Sequence, residues 1–364
     1  MNDNLPPFSC THTPEIPRIL DDLNCSLVIS TYQAGKVIIL GAGPEGLTQL
    51  PRNFNKPMGL TVEGTRLAVA TRDEVVVLVN DIKLTAGYPP APGKYDALFA
   101  PRAVYFCGEV DIHDMVWVGE TLWAVNTRFS CLCTIDHNHS FTPQWQPPFV
   151  TDLTDEDRCH LNGLAMVDGK PEYVTALGAT NTAKGWRDRK TSGGILIHVP
   201  SGEIVARDLA MPHSPRVYDG QLYLLNSAEG ELVQVDVDTG TTHTLMRVPG
   251  FLRGMSRLGD YLFIGMSKLR PGRSLGDIPL AKQELFSGVA VFHLPTGQLA
   301  GNIRYLNSCE EIYDVQLLPG LRRPGILGFE NPLYRNALST PNYGFWGTPN
   351  LDAEPPQPGG WQIG

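Results

Sequence analysis

Six strand-turn-strand units follow one another along the chain and set the limits on its fold. Each unit starts with a small or polar residue, continues as an apolar strand, turns at a glycine, and in most cases returns as a second strand. The units begin at Met58, His113, Asn162, Pro215, Arg253 and Tyr313. Successive units lie about 40 to 60 residues apart, the repeat length of four-stranded propeller blades. The repeat therefore predicts an all-β fold, a single β-propeller of six blades, with a seventh degenerate blade as the alternative.

A propeller has to close its ring, and a strand from one end of the chain usually completes the last blade. The run Ser26–Leu40, SLVISTYQAGKVIIL, has the pattern of two strands joined by a turn. We expect this N-terminal run to close the ring by pairing with the sheet that contains residues 325–329. The predicted organisation is an N-terminal arm over residues 1–25, a propeller over 26–330, and an irregular tail rich in Pro, Gly and aromatic residues over 331–364.

Charge and cysteine content narrow the class of protein. The formal charge of -9 and the lack of any run of Lys or Arg argue against a nucleic-acid partner. No apolar segment approaches the ~20 residues of a membrane span. The N-terminus lacks the basic and apolar regions of a signal peptide. Seven irregularly spaced cysteines are typical of reduced thiols rather than of a secreted disulfide framework. We therefore expect a cytoplasmic protein.

Equivalent residues in the innermost strands of a propeller converge on its axis. When the six units are aligned on Gly59, Asp114, Gly163, Arg216, Gly254 and Asp314, the residues one and three places earlier face the same way. The first of these positions includes His113, and the second includes His160 and His213. Three of the nine histidines thus fall in twelve places. The alignment predicts that these three side chains lie together on the axis.

Three neutral imidazoles are a good ligand set for a divalent transition metal and leave positions open for substrate. Iron or copper is favoured here, and zinc is possible. The same ring supplies the predicted catalytic residues, which are Asp111, Arg253, Glu311 and Tyr313. Asp111, Asp114 or Glu311 would orient the ligands or act as a general base, and Arg253 would face a carboxylate or an oxyanion. The alternative is that the histidines fill the channel, bonded to carbonyl groups and waters.

Asn162, in the same ring, is a predicted substrate contact, and two further segments carry others. Arg128 lies in the run NTRFS, and Trp186 and Arg187 lie in a polar insertion over residues 183–194 that we expect to be a long surface loop. The alternative for Arg128 is a salt-bridged strand end. The alternative for the insertion is a solvated loop packed on a blade.

Several runs resemble a bacterial family described as conserved hypothetical, of unknown function. They are STYQAGKVIIL, EVDIHDM, NTRFSCL, HLNGLA, KGWR, HSPR and GFLRGM. The likeness extends roughly from Ser26 to Glu330 and implies a propeller-like domain. His113, His160 and His213 each lie in one of these runs.

Other propeller enzymes are similar in plan only. Peptidyl-hydroxyglycine amidating lyases have six blades and an axial zinc on histidines, and carotenoid oxygenases hold iron on axial histidines. Gluconolactonase-like and paraoxonase-like hydrolases hold calcium on oxygen ligands, which the imidazoles of this chain disfavour.

The expected function is a metal-dependent enzyme acting on a small molecule or short peptide at the mouth of the channel. Within that class we favour an iron- or copper-dependent oxygenase or oxidase, because three neutral ligands leave sites for dioxygen and substrate. A zinc-dependent lyase or hydrolase is the first alternative. A non-catalytic scaffold that binds a protein or peptide on one face is the second.

Overall fold

The computed structural model describes residues 5–269 and 278–348, and its main strands form six sheets. The chain begins with strand β1 and helix α1 and continues into three strands of one sheet. Their bounds are β1 Cys10–His12, α1 Glu15–Asp22, β2 Cys25–Thr31, β3 Lys36–Gly43 and β4 Gly46–Asn53.

The next five sheets follow in chain order, four strands at a time, with the first strand of each innermost. The first comprises β5 Leu60–Glu63, β6 Arg66–Ala70, β7 Glu74–Asn80 and β8 Ala97–Phe106. The second comprises β9 Ile112–Val118, β10 Thr121–Asn126, β11 Cys131–Ile135 and β12 Thr142–Trp145. The third comprises β13 Leu161–Val167, β14 Lys170–Ala176, β15 Gly194–His198 and β16 Ile204–Leu209.

The fourth sheet comprises β17 Pro212–Tyr218, β18 Gln221–Asn226, β19 Glu231–Val235 and β20 Thr242–Arg247. The fifth comprises β21 Phe251–Leu258, β22 Tyr261–Ser267, β23 Gly288–His293 and β24 Gln298–Tyr305. The remaining strands are β25 Asp314–Pro319, β26 Pro324–Ile326, β27 Ala337–Ser339 and β28 Gly344–Trp346. Short 3₁₀ helices cover Ile82–Leu84, Gly185–Arg189, Ser227–Glu229, Pro279–Lys282 and Pro332–Asn336.

The innermost strands contact one another in cyclic order, from β5 through β9, β13, β17, β21 and β25 back to β5. This closed order, with apolar side chains packed between neighbouring sheets, confirms the prediction of a six-bladed all-β propeller. The first hairpin of five blades has a two-residue turn containing glycine. In the fourth blade both turn residues, Asp219 and Gly220, have positive φ, as the hairpin turn that matches strand twist requires.

Strands from both ends of the chain build the sixth blade. β25 is its inner strand and pairs antiparallel with β2, with Ser30 opposite Asp314. Closure by the N-terminal run is therefore confirmed, but its predicted partner, residues 325–329, is wrong. β26 instead runs parallel to β8 in the first blade. The Asp96 carboxylate fixes it there by accepting from the backbone N–H groups of Arg322 and Arg323.

Both terminal segments pack on the ring. β1 adds a fifth strand to the fifth blade. The segment predicted as an N-terminal arm also contains helix α1, which buries Ile16, Ile19 and Leu20 on one face. The predicted irregular tail contains the hairpin of β27 and β28, which is held where the Trp346 indole N–H donates to the Leu84 carbonyl at 2.9 Å. Residues 349–364 of that tail lie outside the described residues. Within the described ranges, no helix has the length and apolar character to cross a membrane.

Candidate axial site

A cavity of about 790 Å³ opens on the axis where the inner strands begin. Every blade contributes a wall residue at this end. In chain order these are Met58, His113, His160, Met211, Arg253 and Tyr313. Predicted site residues Asp111, Arg128, Trp186 and Arg187 also line it, with Lys184 and Lys190. A smaller cavity of about 10 Å³, the size of one water molecule, continues deeper between His113, Asn162, His213 and Arg253.

His213 is held in one tautomer at the bottom of the site. Its Nδ1 lies 2.9 Å from the Met211 carbonyl and 2.9 Å from the Ser227 hydroxyl, and that hydroxyl donates to the Leu252 carbonyl. Because both partners of Nδ1 are acceptors, Nδ1 carries the proton and Nε2 carries the lone pair. Burial lowers the pKa of His213 well below its usual value, and the nearby Arg253 charge adds to this.

His113, in the second blade, has the same arrangement as His213 in the fourth blade. Its Nδ1 bonds to the Asp111 carbonyl at 3.1 Å and the Thr127 hydroxyl at 2.7 Å, and Thr127 donates to the Leu161 carbonyl. Burial, followed by the charges of His160 and Arg253, lowers its pKa well below the usual value. His113 and His213 are therefore equivalent residues. The predicted alignment, which makes His213 equivalent to His160, is shifted by two residues in the fourth blade.

His160 stands at the wall of the larger cavity and differs from the other two. Its Nδ1 faces the Asp157 carboxylate at 3.0 Å, and the same carboxylate accepts from the Trp186 indole N–H at 3.1 Å. The imidazole ring packs 4.4 Å from the Trp186 ring and 4.9 Å from the His113 ring, centroid to centroid. The predicted meeting of His113 with His160 is thus observed, and Trp186 belongs to the wall rather than to a solvated loop.

Backbone conformation aims these side chains at the axis. Lys56, Asp111, His160 and Met211 all have φ near +50°, a region that non-glycine residues rarely enter. Each stands two residues before the axial position of its blade, which is held by Met58, His113, Asn162 or His213. The inner pairings of blades two to five also contain a register shift beside the axial residue. Such bulges re-aim side chains and are frequent next to functional sites.

Arg253 and Tyr313 line the cavity on the blades across from His160, and the predicted residue Glu311 does not line it but contacts Arg253. The Arg253 guanidinium lies 3.2 Å from the Glu311 carboxylate and 5.0 Å from the centre of the Tyr313 ring. The Tyr313 ring lies 5.4 Å from the His113 ring. Glu311 is only 4% exposed, and its carboxylate is therefore a buried partner of Arg253. Burial also raises the pKa of Asp111 on the opposite wall.

Below the histidines, Arg216 joins two blades through a buried ion pair. Its guanidinium contacts both oxygens of Asp114 at 2.8 and 3.1 Å. Asp314 is close by and accepts backbone N–H groups from Leu60 and Val315. Burial, together with the Asp114 charge, raises the pKa of Asp314 to about 7.

Sequence reasoning missed several parts of this site. The supporting hydroxyls of Thr127 and Ser227 follow directly after the second strand of their units. Ser30 and Ser267, at the end of the second strand of their blades, likewise donate to a carbonyl of the next blade. A Ser or Thr recurring at that place in the repeat was the signal that could have found them. Asp157 precedes His160 by only three residues, but its second partner, Trp186, lies 29 residues further along the chain and reaches it only in the folded protein.

The three histidines are not gathered into a tight ligand set. Across residues 5–269 and 278–348, no group of three or more His, Cys, Asp or Glu side chains is placed to hold a metal ion. His113 shares the larger cavity with His160 and the smaller one with His213. The site thus has two adjoining compartments rather than one point of convergence.

Six blades around a histidine-lined axial cavity place the chain among the β-propellers with a central site. The chain belongs to the family described as Domain of unknown function (DUF4915), which matches residues 14–327. This confirms the resemblance found in the sequence. No curated protein sequence matches the chain. A chain in the crystal structure of a nidogen/laminin complex is similar, with a TM-score of 0.49 and 10% identity over 81% of this chain and 99% of that chain.

Proposed function

We propose that the chain is an enzyme that binds a small molecule in the axial cavity and exchanges a proton with it through His213. One observation carries the proposal. The His213 side chain is 3% exposed, its Nδ1 proton is fixed, and its Nε2 has no hydrogen-bond partner among the described residues. A neutral imidazole with a bare Nε2 presents a lone pair that can accept a proton from a bound group within hydrogen-bond reach.

The neighbouring groups suit proton transfer at an oxygen atom. Asn162 lines the same small cavity, and its Nδ2 is likewise without a partner in the described part of the chain. An acceptor on His213 and a donor on Asn162 match a hydroxyl group or a water molecule. When His213 takes the proton of that oxygen, Asn162 and Arg253 would stabilise the negative charge left behind.

The test is consumption of a small molecule by the purified protein. We expect wild-type protein, incubated with a mixture of polar metabolites and followed by mass spectrometry, to deplete specific compounds. His213→Gln removes the base and should abolish depletion. His293→Gln, on an outer strand where Nδ1 bonds Thr296, should not. Depletion that persists in His213→Gln contradicts the role of His213. Binding without any depletion would instead leave the cavity as a recognition site on a non-catalytic scaffold.

A divalent transition metal in this cavity is our second proposal, with iron or copper favoured and zinc possible. His113, His160 and His213 each bond a protein acceptor through Nδ1. Metal-ligating histidines are usually oriented in this way by their other nitrogen. The rings would have to approach one another on binding, because the described residues do not hold a ready ligand set.

Elemental analysis separates the two proposals. The metal proposal expects stoichiometric iron, copper or zinc in protein purified without chelators, and loss of that metal in His160→Ala with unchanged circular dichroism. The His213 proposal expects turnover that survives dialysis against a chelator. Metal-free protein that cannot be loaded with any of the three ions would end the metal proposal.

We also propose that the protein acts in the cytoplasm. All seven cysteines are free thiols, and six of them are buried, which suits a reducing compartment. Alkylation of the protein under denaturing conditions, with no reductant, should modify seven residues. Fewer than seven would indicate disulfides and contradict the proposed location.

A further inference from the structure

We infer that the ligand of the axial cavity is an anion whose carboxylate or phosphate group binds at Lys184 and Arg187. The inference deepens the proposed function, on which it rests, by naming the substrate class. It starts from the charge of the cavity wall, which has five cationic side chains and three carboxylates. This excess of positive charge occurs in a chain whose formal charge is -9.

Four of the eight wall charges are engaged by contacts within the protein. Arg128 contacts Asp155 at 2.9 Å, and Arg253 contacts Glu311 at 3.2 Å. The Asp157 carboxylate is occupied by His160 and the Trp186 indole. These contacts hold the side chains of this part of the wall in place.

Lys184 and Arg187 differ from Arg128 and Arg253 because no carboxylate of the protein pairs with them in the described part of the chain. Neither forms an ion pair with any residue in the described part of the chain, and the guanidinium of Arg187 rests on the Trp186 ring at 5.2 Å. Asp188, the acidic residue of the same turn, does not line the cavity. An arginine stacked on an aromatic ring keeps its hydrogen-bonding edge available for a carboxylate or phosphate.

The segment that carries these cations is held in place before any ligand arrives. Trp186 is 8% exposed and is anchored by its hydrogen bond to Asp157. The Lys184 N–H donates to the Glu156 carbonyl at 3.0 Å, and the Arg187 N–H donates to the Lys184 carbonyl at 3.1 Å. Lys184 has φ of +53°, a left-handed conformation that non-glycine residues rarely adopt. A preformed cationic mouth lowers the ordering cost of binding.

The inference is tested by calorimetric titration with inorganic phosphate in one arm and succinate in the other, at constant ionic strength. We expect wild-type protein to bind at least one anion, and the Lys184→Ala, Arg187→Ala double variant to bind it about tenfold more weakly or worse. The arm that binds identifies phosphate or carboxylate as the preferred group. The control is Arg189→Ala, Arg207→Ala, which removes the same charge from exposed residues outside the cavity and should bind as wild type does.

Two results would overturn the inference: neither anion binds to wild-type protein, or both double variants lose affinity equally. His213→Gln separates this inference from the proposed function, since it should abolish turnover and keep anion binding. Anion binding without metabolite depletion therefore defeats the enzyme proposal alone. Depletion of an uncharged compound without anion binding defeats the present inference alone.

Discussion

The supporting hydroxyl of Ser227 links the orientation of His213 to the stability of the ring. Ser227 is fully buried, and its single oxygen contacts both His213 Nδ1 and the Leu252 carbonyl of the next blade. A buried polar group that loses its partner costs more than the bond it made. Ser227 therefore serves the site and the joint between blades four and five at once.

Replacing Ser227 with Ala tests this link. We expect Ser227→Ala to lower the free energy of unfolding by about 1–3 kcal/mol, because the Leu252 carbonyl loses its buried donor. Urea denaturation measures the change. The matched control is Ser201→Ala, which removes an exposed hydroxyl that bonds His198 Nδ1 at 2.9 Å and should cost almost nothing. Equal effects of the two substitutions would contradict the argument.

Asp314 predicts a specific pH dependence of stability. Its pKa is raised from 3.8 to about 7 in the folded protein, so between these values the folded state holds a proton that the unfolded state has released. Stability from this group is then lost as pH rises from about 4 to 7. Asp314→Asn lacks this dependence. From pH 4 to pH 7 the free energy of unfolding of Asp314→Asn, relative to that of the wild type, should therefore rise by about 1 kcal/mol or more. Its melting temperature should rise relative to the wild type over the same range.

Thermal melts of both proteins at several pH values provide the measurement. His113 and His213 have lowered pKa values and act in the opposite direction, destabilising the fold as pH falls below about 6.5. They are present in both proteins and cancel in the difference. Asp219→Asn changes an exposed carboxylate and serves as the control. A melting-temperature difference that stays constant from pH 4 to 8 would show that Asp314 does not titrate in this window.

At the scale of the element, two neighbouring inner strands approach so closely at Gly254 that there is no room for a Cβ atom. Gly254 in β21 has φ of +73°, and an added Cβ would lie 2.5 Å from the Val315 nitrogen of β25. Gly220, in the hairpin turn of blade four, has a similar φ of +74° with no atom within 4 Å of its Cβ position. The two glycines thus differ in packing and share the same backbone conformation.

We expect Gly220→Ala to cost about 1 kcal/mol, the price of a positive φ without glycine. Gly254→Ala should cost about 3 kcal/mol or more, because the backbone of the neighbouring blade has to move as well. Chemical denaturation of the two variants measures both. Equal destabilisation would show that the blades separate without strain at this point.

The inner hairpins were predictable from sequence because each carries its own signals, an alternating apolar strand and a glycine turn. The pairings between strands that lie far apart in the sequence were not predictable. The runs that became β25 and β26 both have strand character, and only the tertiary pairing of Ser30 with Asp314 decides which of them closes the ring. The same limit explains the misplaced His213. A register shift between His213 and Arg216 alters the spacing that a fixed alignment assumes.

At the scale of the whole molecule, ring closure decides how the chain unfolds. Open repeat arrays lose cooperativity because a terminal repeat has only one neighbour and separates alone. Here the sixth blade takes β2 to β4 from one end of the chain and β25 from the other, so every blade has two neighbours. No blade can leave without exposing two apolar faces.

We therefore expect one unfolding transition in urea, with circular dichroism and tryptophan fluorescence giving coincident curves. Gly254→Ala provides the sharper measurement, since it strains the contact between blades five and six. In a closed cooperative ring, that local strain lowers the urea midpoint of the whole transition, and the unfolding curve still shows a single transition. If blades five and six instead detach first, the variant will show a second, earlier transition, and the ring will have to be regarded as six separable sheets.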